Sequence, residues 1–545
     1  MLKSRAVRRP WRIASLVLLG VSALGGALAG DRLLALNDST RDNLRLFGEL
    51  LEAAHSRYGR EVPYRDLVYA GIHGMLRTLD PHTAFLAPDA HAQMRERHQA
   101  SFYGLGILVG QRNGRLTVIT PIEGTPASRL GIRAGDVIHL IEGEPTSKMT
   151  VDEAVSKLKG PKGTEVHITI VRAGLPEPLE LTVVRAEIPQ TTVRYSYMIA
   201  PGTGYLSITD FSRSTGNEVA KALEKLRGEG MKRLILDLRN NGGGLLDQAI
   251  EVSDQFVPPG SPIVETRGRV RDSMQAFDAA GRHPEFALPL VVLVNAGTAS
   301  AAEIVSGAIQ DHDVGLVVGT PTWGKGLVQT VYNLSYGAGL ALTTAKYYTP
   351  SGRLIQRDYN SFFDYYARTD VEGEGAEAHR KKTEAEQYST DLGRTVYGGG
   401  GITPDVEVET KELSPALQYL LARAAFFRFG VEWADKHPDV GRDWRPDDAV
   451  LAEFRAWLAA EKLETPEQSA AALADPEHRA FSLRQIRAEV LGSRFGIEAA
   501  HQALAEGDEQ IQSGLDLFPQ AASLLSQRSG LVKTPELQTA ESLRN

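Results

Sequence analysis

One stretch, Pro289 to Val331, narrows the possible fold of this chain more than any other: PLVVLVNAGTASAAEIVSGAIQDHDVGLVVGTPTWGKGLVQTV. Its apolar, β-branched run Leu290 to Val294 is closed by Asn295 and Gly297, which reads as a buried strand with a stop. A turn of small residues, Thr298-Ala299-Ser300, follows, and Ala301 to Ile309 then takes up helical spacing. Ser300 therefore falls where a strand hands over to a helix N-terminus. Free N–H groups and the positive end of the helix dipole face outward there. A second strand, Val314 to Val318, leads into Gly319-Thr320-Pro321-Thr322-Trp323-Gly324-Lys325-Gly326, and Gln329 lies four residues after Lys325. A hydroxyl at one strand end and a lysine at the next suit nucleophilic attack by Ser300 with a neutral Lys325 as general base. The plainer reading of Ser300 is a helix N-cap.

The phrases VNAGTASAAEI and GTPTWGKGLVQT resemble the C-terminal processing (tail-specific) peptidases, in which serine and lysine also stand 25 positions apart (325 − 300 = 25). The resemblance implies Ser300 as nucleophile, Lys325 as base and Gln329 as the residue that orients the lysine. It extends through Leu79-Asp80-Pro81-His82-Thr83-Ala84-Phe85-Leu86, Thr349-Pro350-Ser351-Gly352-Arg353 and Gly399 to Val406, so it covers roughly residues 45–408. His82 is read as a helix-stop residue, since the family places no catalytic role there.

The family resemblance also gives a meaning to Asp237-Leu238-Arg239-Asn240-Asn241-Gly242-Gly243-Gly244, which follows a buried strand, Leu234 to Leu238. On residues alone this turn could be taken for a phosphate loop, but it lacks the G-K-[ST] ending. By resemblance it supplies an oxyanion-hole N–H, assigned to Gly243 with Gly242 as the nearest rival, and Ala301 supplies the second. Asp237 and Arg239 are read as a structural pair at the strand end. From Thr203 onward strands and helices alternate, with Tyr205 to Phe211 strand-like and Glu218 to Leu226 helical.

Residues 99–186 resemble a PDZ domain. Phe102-Tyr103-Gly104-Leu105-Gly106-Ile107 matches its carboxylate-binding loop, where glycines let backbone N–H groups converge on an anion. Asn113-Gly114 marks a hairpin, Gly131 to Ile138 the turn-and-strand phrase of the module, and a helix from about Thr150 presents Val151, Val155 and Leu158 to one face. Such a module takes an extended peptide as an added strand beside Ile107 to Val109 and clamps its terminal carboxylate.

Before these elements, Lys3, Arg5, Arg8, Arg9 and Arg12 precede an apolar run from Ile13 to Ala29 that ends Ala27-Leu28-Ala29. That layout is a secretory signal; its length also suits an uncleaved anchor. Apolar residues at helical spacing from Leu46 to Leu79 predict a helical N-terminal segment. Asp370 to Glu386 reads as a charged, solvated loop. Beyond the resemblance, Ser414-Pro415 opens a helix with Leu417, Leu420, Leu421, Ala424 and Phe427, and helical spacing continues through Phe454, Trp457, Leu458 and Phe481 to Leu491. This extension is either an interaction module or packing against the core.

Composition excludes several classes. No cysteine is present, so disulfide scaffolds, thiol nucleophiles and cysteine metal sites are ruled out. A net charge of −8 argues against nucleic-acid binding. The histidines lack HExxH spacing, and His312, within Asp311-His312-Asp313, is read as a helix-end residue with a dipole or capping role. No metal or cofactor is expected.

The expectation is a multidomain α/β protein whose catalytic core, as the resemblance implies, has the crotonase/Clp protease-like fold. Its parts are a signal peptide or anchor (1–30, apolar over 13–29), a helical N-terminal segment (40–98), an inserted PDZ domain (99–186), a serine peptidase core (187–408, with 40–98) and a helical C-terminal extension (409–545). The expected function is an exported serine endopeptidase, in the bacterial periplasm or held on the inner membrane, that binds protein or peptide substrates by their C-termini. The C-terminal helices are expected to serve an adaptor or self-association. Two alternatives are a catalytically silent PDZ scaffold and a non-peptidase acyl hydrolase on the same fold. A lysine base needs its pKa lowered from about 10.4; desolvation by Trp323, Leu327 and Val328, with Gln329 adding no charge, is the expected cause.

Overall fold

Apolar runs without alternation become the strands of a central sheet: Thr203–Ile208, Arg233–Asp237, Leu290–Val294 and Leu316–Gly319. All four are parallel, with Leu236 beside Val292 and Val292 beside Val317. Strand Val193–Ala200 closes one edge antiparallel and Val406–Glu407 the other edge parallel. Leu290–Val294 is buried along its whole length because both faces of the sheet are covered. The computed structural model describes residues 38–112, 114–281, 287–358, 386–463 and 475–541. The signal or anchor segment, Asn113 and nearly all of the charged stretch 370–386 lie outside them.

The crossovers supply one cover. Helices Thr215–Gly228, Leu246–Ser253 and Ala301–Asp311 pack Val219, Leu223, Val252, Ile304 and Val305 against Leu206, Leu236 and Val292. The helix after Ser300 is buried throughout, polar side chains included, so Glu303, Gln310 and Asp311 must find partners inside. Asp311 meets the fully buried Arg353 at 2.7 Å. The strand after this helix begins at Leu316 rather than Val314, because Asp313 (φ 54°) turns the chain and the Val314 N–H is spent on the Ile309 carbonyl at the helix end (3.1 Å).

The other cover comes from the far end of the chain. Ala505, Ile511, Phe518, Ala521 and Leu524 pack on Tyr205, Ile235, Val291, Leu293 and Val318. The extension thus divides. Helices Pro415–Ala422, Ala425–Lys436, Asp448–Ala460 and Pro476–Phe495 bury their own core of Phe426, Phe429, Phe454 and Ile486, whereas helices from Ile497 onward complete the sheet. A second sheet holds strands Pro262–Gly268, Gln275–Asp278, Leu327–Asn333 and Gly339–Tyr348.

The PDZ-like module has a sheet of Ile107–Arg112, Arg115–Pro121, Val137–Ile141, Glu165–Val171 and Leu179–Val184, with helix Val151–Leu158 opened by a Thr150–Glu153 capping box. Strands Ser101–Gly104 and Ala186–Pro189 pair where the chain enters and leaves it. Its Arg112 guanidinium lies 5.7 Å from the Phe427 ring of the extension. The chain divides into two compact units, up to Phe85 and from Leu86 onward. Helix Pro88–Gln99 belongs to the second unit. The first unit carries helices Asp38–Arg57 and Tyr64–Leu76.

Candidate active site

Ser300 stands at the junction of strand Leu290–Val294 and helix Ala301–Asp311 with φ 56° and ψ −116°. A non-glycine residue in this region is strained, and such strain persists only where surrounding contacts over-determine it. Those contacts are visible. The Thr298 hydroxyl donates to the Leu238 carbonyl (2.8 Å), Ala299 N–H to the Asn241 carbonyl (2.8 Å) and Trp323 N–H to the Thr298 carbonyl (2.8 Å). The serine turn is thereby tied to the glycine loop on one side and to the lysine loop on the other.

A residue that sequence reasoning passed over links the two candidates. Glu303, fully buried, accepts from Ser300 N–H (2.7 Å), the Thr322 hydroxyl (2.5 Å), Gly324 N–H (2.7 Å) and Lys325 N–H (2.9 Å). Burial pushes its carboxyl above the ordinary range, and these four donors pull it back. Tyr347, also overlooked, places its hydroxyl 3.0 Å from the Ser300 carbonyl and 2.6 Å from that of Lys325. The spacing Ser300-x-x-Glu303 is a capping-box signal and could have drawn attention to the glutamate; nothing local marks Tyr347.

Lys325 Nζ donates to Gln329 Oε1 at 2.9 Å, a neutral partner. Leu327 beside it is buried, while Trp323 faces the Arg357 guanidinium at 4.7 Å and Val328 is half-buried. Gly243 (φ 93°) lies against the serine: a Cβ there would sit 2.7 Å from Ser300 Cβ and 2.8 Å from Ala301 N, so only glycine fits. The Gly243 N–H itself donates to Asn241 Oδ1 at 2.9 Å, a bond the sequence did not disclose. Gly242 has open space where a side chain would be.

His312 sits at the opposite end of the helix from Ser300, twelve residues away at about 1.5 Å per residue. It is the C-cap residue of that helix, as expected, its N–H donating to the Ala308 carbonyl (3.2 Å), and its ring bonds Asp391 (2.9 Å) and the Pro262 carbonyl (2.6 Å). Among the described residues no cluster of three or more His, Asp or Glu could hold a metal ion.

In the PDZ-like module, strand Ile107–Arg112 lies at the edge of its sheet and, among the described residues, pairs only with Arg115–Pro121. Helix Val151–Leu158 flanks it, with Val151 and Val155 partly exposed. Gly104 is buried against Phe102, and Gly106 takes φ 82° with its Cβ position 2.2 Å from Thr125 Cβ. Leu105 turns its side chain into the module core, so it can meet a ligand only through its backbone.

A model of peptidase family S41 matches residues 202–360, and a PDZ domain model matches residues 93–171. The class is therefore a serine-type peptidase joined to a PDZ domain. The carboxy-terminal-processing protease of Bartonella bacilliformis is 40% identical over 322 residues, covering 58% of this chain and 74% of that protein. CtpA of Bacillus subtilis, a carboxy-terminal processing protease, is 34% identical over 346 residues, covering 63% and 72%. Among solved structures, the photosystem II D1 C-terminal processing protease is 28% identical, with a TM-score of 0.35 and coverage of 70% of this chain and 91% of that one. The chain belongs to the carboxy-terminal processing proteases of peptidase family S41. Among the described residues no helix is long and apolar enough to cross a membrane.

Proposed function

We propose that this protease is exported, captures protein C-termini in its PDZ groove and cleaves with a Ser300/Lys325 dyad. The observation that carries the dyad is the single buried Glu303 carboxylate, which holds the backbones of both residues while Gln329 holds the lysine amine. Ser300 Oγ attacks the scissile carbonyl carbon as its proton passes to neutral Lys325. The C–N bond then breaks, the leaving amine takes that proton, and water hydrolyses the serine ester with Lys325 again as base. Gly243 and Ala301 N–H groups stabilise the oxyanion; for Gly243 this requires that its bond to Asn241 be shared or released when substrate arrives.

Tail capture rests on the edge strand Ile107–Arg112 and the loop Gly104-Leu105-Gly106. Export to the bacterial periplasm rests on the basic start and the apolar run 13–29. Self-association or adaptor binding is assigned to the separately cored helices between Pro415 and Phe495. The test is Ser300→Ala, which should abolish cleavage of an unfolded substrate while a tail peptide still binds with unchanged Kd. Cleavage above a few per cent of wild type would place the nucleophile elsewhere.

A further inference from the structure

The glycine loop beside Ser300 is anchored, through Arg239, by residues 269 and 271 positions further along the chain, outside the segments either family model matches. Arg239, the residue just before the loop asparagines, is largely buried, its side chain 13% exposed. Its Nε and Nη2 clamp the Asp237 carboxylate at 2.6–3.0 Å, and Asp237 also accepts the Arg239 N–H (2.9 Å) and the Tyr205 hydroxyl (2.6 Å). The remaining guanidinium nitrogen, Nη1, points into the C-terminal extension, donating to Asp508 Oδ1 (2.9 Å) and Gln510 Oε1 (3.0 Å). Asp508 is the N-cap of helix Glu509–Asp516, and that helix is pinned to the sheet by Ile511.

What this anchor holds is the next residue and the loop after it. Asn240 is left-handed (φ 58°) and donates its N–H to Asn295 Oδ1, at the end of the strand that leads to the serine turn. Asn241 is fully buried, its Nδ2 on the Ile208 carbonyl and its own carbonyl on Ala299 N–H. Gly243 then packs against Ser300 Cβ. A second contact from the extension backs the same wall: His501 Nδ1 lies 2.8 Å from the Tyr197 hydroxyl, and its ring stacks on Tyr195 at 3.9 Å. Burial lowers the His501 pKa to about 4, so at neutral pH it fills this seam without adding charge.

We infer that Asp508 and Gln510 are positioning residues for peptide cleavage: by holding Arg239 against Asp237 they fix the loop Asn240–Gly244 at Ser300. The C-terminal extension is on this account a part of the catalytic apparatus, although it touches no reacting atom. A fork-shaped guanidinium shared between two carboxylates is a stiff joint, because its planar geometry permits one arrangement of both partners. Releasing one side lets the other turn. The loop then loses its register against the serine, and transition-state stabilisation falls while ground-state binding does not.

The inference rests on the Ser300 reading, so wild type and Ser300→Ala are assayed beside two variants of the full chain. Asp508→Asn keeps a good N-cap but removes the charge; Gln510→Met removes one acceptor at similar length. Each is expected to lower kcat about tenfold, with KM within twofold and tail-peptide affinity unchanged, since the PDZ groove is untouched. Wild-type kcat in the variants, or kcat and KM falling away together with the thermal midpoint, overturns the assignment while leaving the dyad intact. Should Asp508→Asn not fold, Gln510→Met alone decides on the same kcat and KM criteria. Activity surviving in Ser300→Ala would instead indict the dyad reading itself.

Discussion

Two glycine loops, Tyr103–Gly106 in the PDZ domain and Asn240–Gly244 in the peptidase core, look alike as sequence and are held in different ways. The PDZ loop is held by residues of its own module and its exit strand, and is short-range in that sense: Gly160 N–H donates to the Tyr103 carbonyl and Gly104 pairs with Ala186. Gly106 accepts from Ile122 N–H and the Thr125 hydroxyl, and Leu105 accepts from Ala127 N–H. The core loop is fixed from other parts of the fold: Ile208, Asn295 and Ala299 bond Asn240 and Asn241, and Asp508 holds Arg239 just before them. A short-range loop can travel with its module from protein to protein. A long-range loop exists only inside the finished fold, so its geometry depends on the whole core and on the extension.

The largest effect should come from the carboxylate at the centre of the long-range network. Glu303→Ala leaves four donors buried without their acceptor, at a cost of about 1–3 kcal/mol for each that water cannot reach. Equilibrium urea unfolding should show several kcal/mol of lost stability, and kcat/KM should fall to background. A folded Glu303→Ala protein with near-normal cleavage would mean that Ser300 and Lys325 are held by something else.

A smaller effect is expected from the short-range loop. Gly106→Val must accept φ 82° and a Cβ about to collide with Thr125 (2.2 Å). The expected loss is confined to capture: wild type should cleave a peptide with a free C-terminal carboxylate tenfold or more better than its amide, and Gly106→Val should treat the two alike. Equal loss on both substrates would show that the two loops are coupled rather than separate.

The same contrast explains what could be read in advance. The buried runs Leu234–Leu238 and Leu290–Val294 announced themselves because a strand covered on both faces has no polar alternation. The PDZ loop was legible because glycine at Gly106 is demanded by the chain beside it. The capping box Ser300-x-x-Glu303 was also visible as a pattern, but not that its carboxylate would reach Thr322 and Lys325. That needs the next loop to fold back, which no local spacing encodes. Helical spacing in the extension showed helices, yet not that Ile511 and Phe518 would cover the central sheet while Phe426 and Phe454 formed a core of their own. Likewise the bond from Gly243 to Asn241 depends on a side-chain rotamer within the closed loop.

The central claim is that Lys325 acts as a base, and the most direct measurement is kcat/KM against pH for wild type, Lys325→Arg and His312→Ala. Guanidinium retains the charge but cannot be deprotonated in a protein. The account predicts that Lys325→Arg is inactive across the range. It predicts that wild-type activity rises with pH, since a protonated amine cannot accept the Ser300 proton, and that His312→Ala, altered far from the serine, rises at the same place. An active Lys325→Arg enzyme, or a rise that disappears with His312, would contradict it.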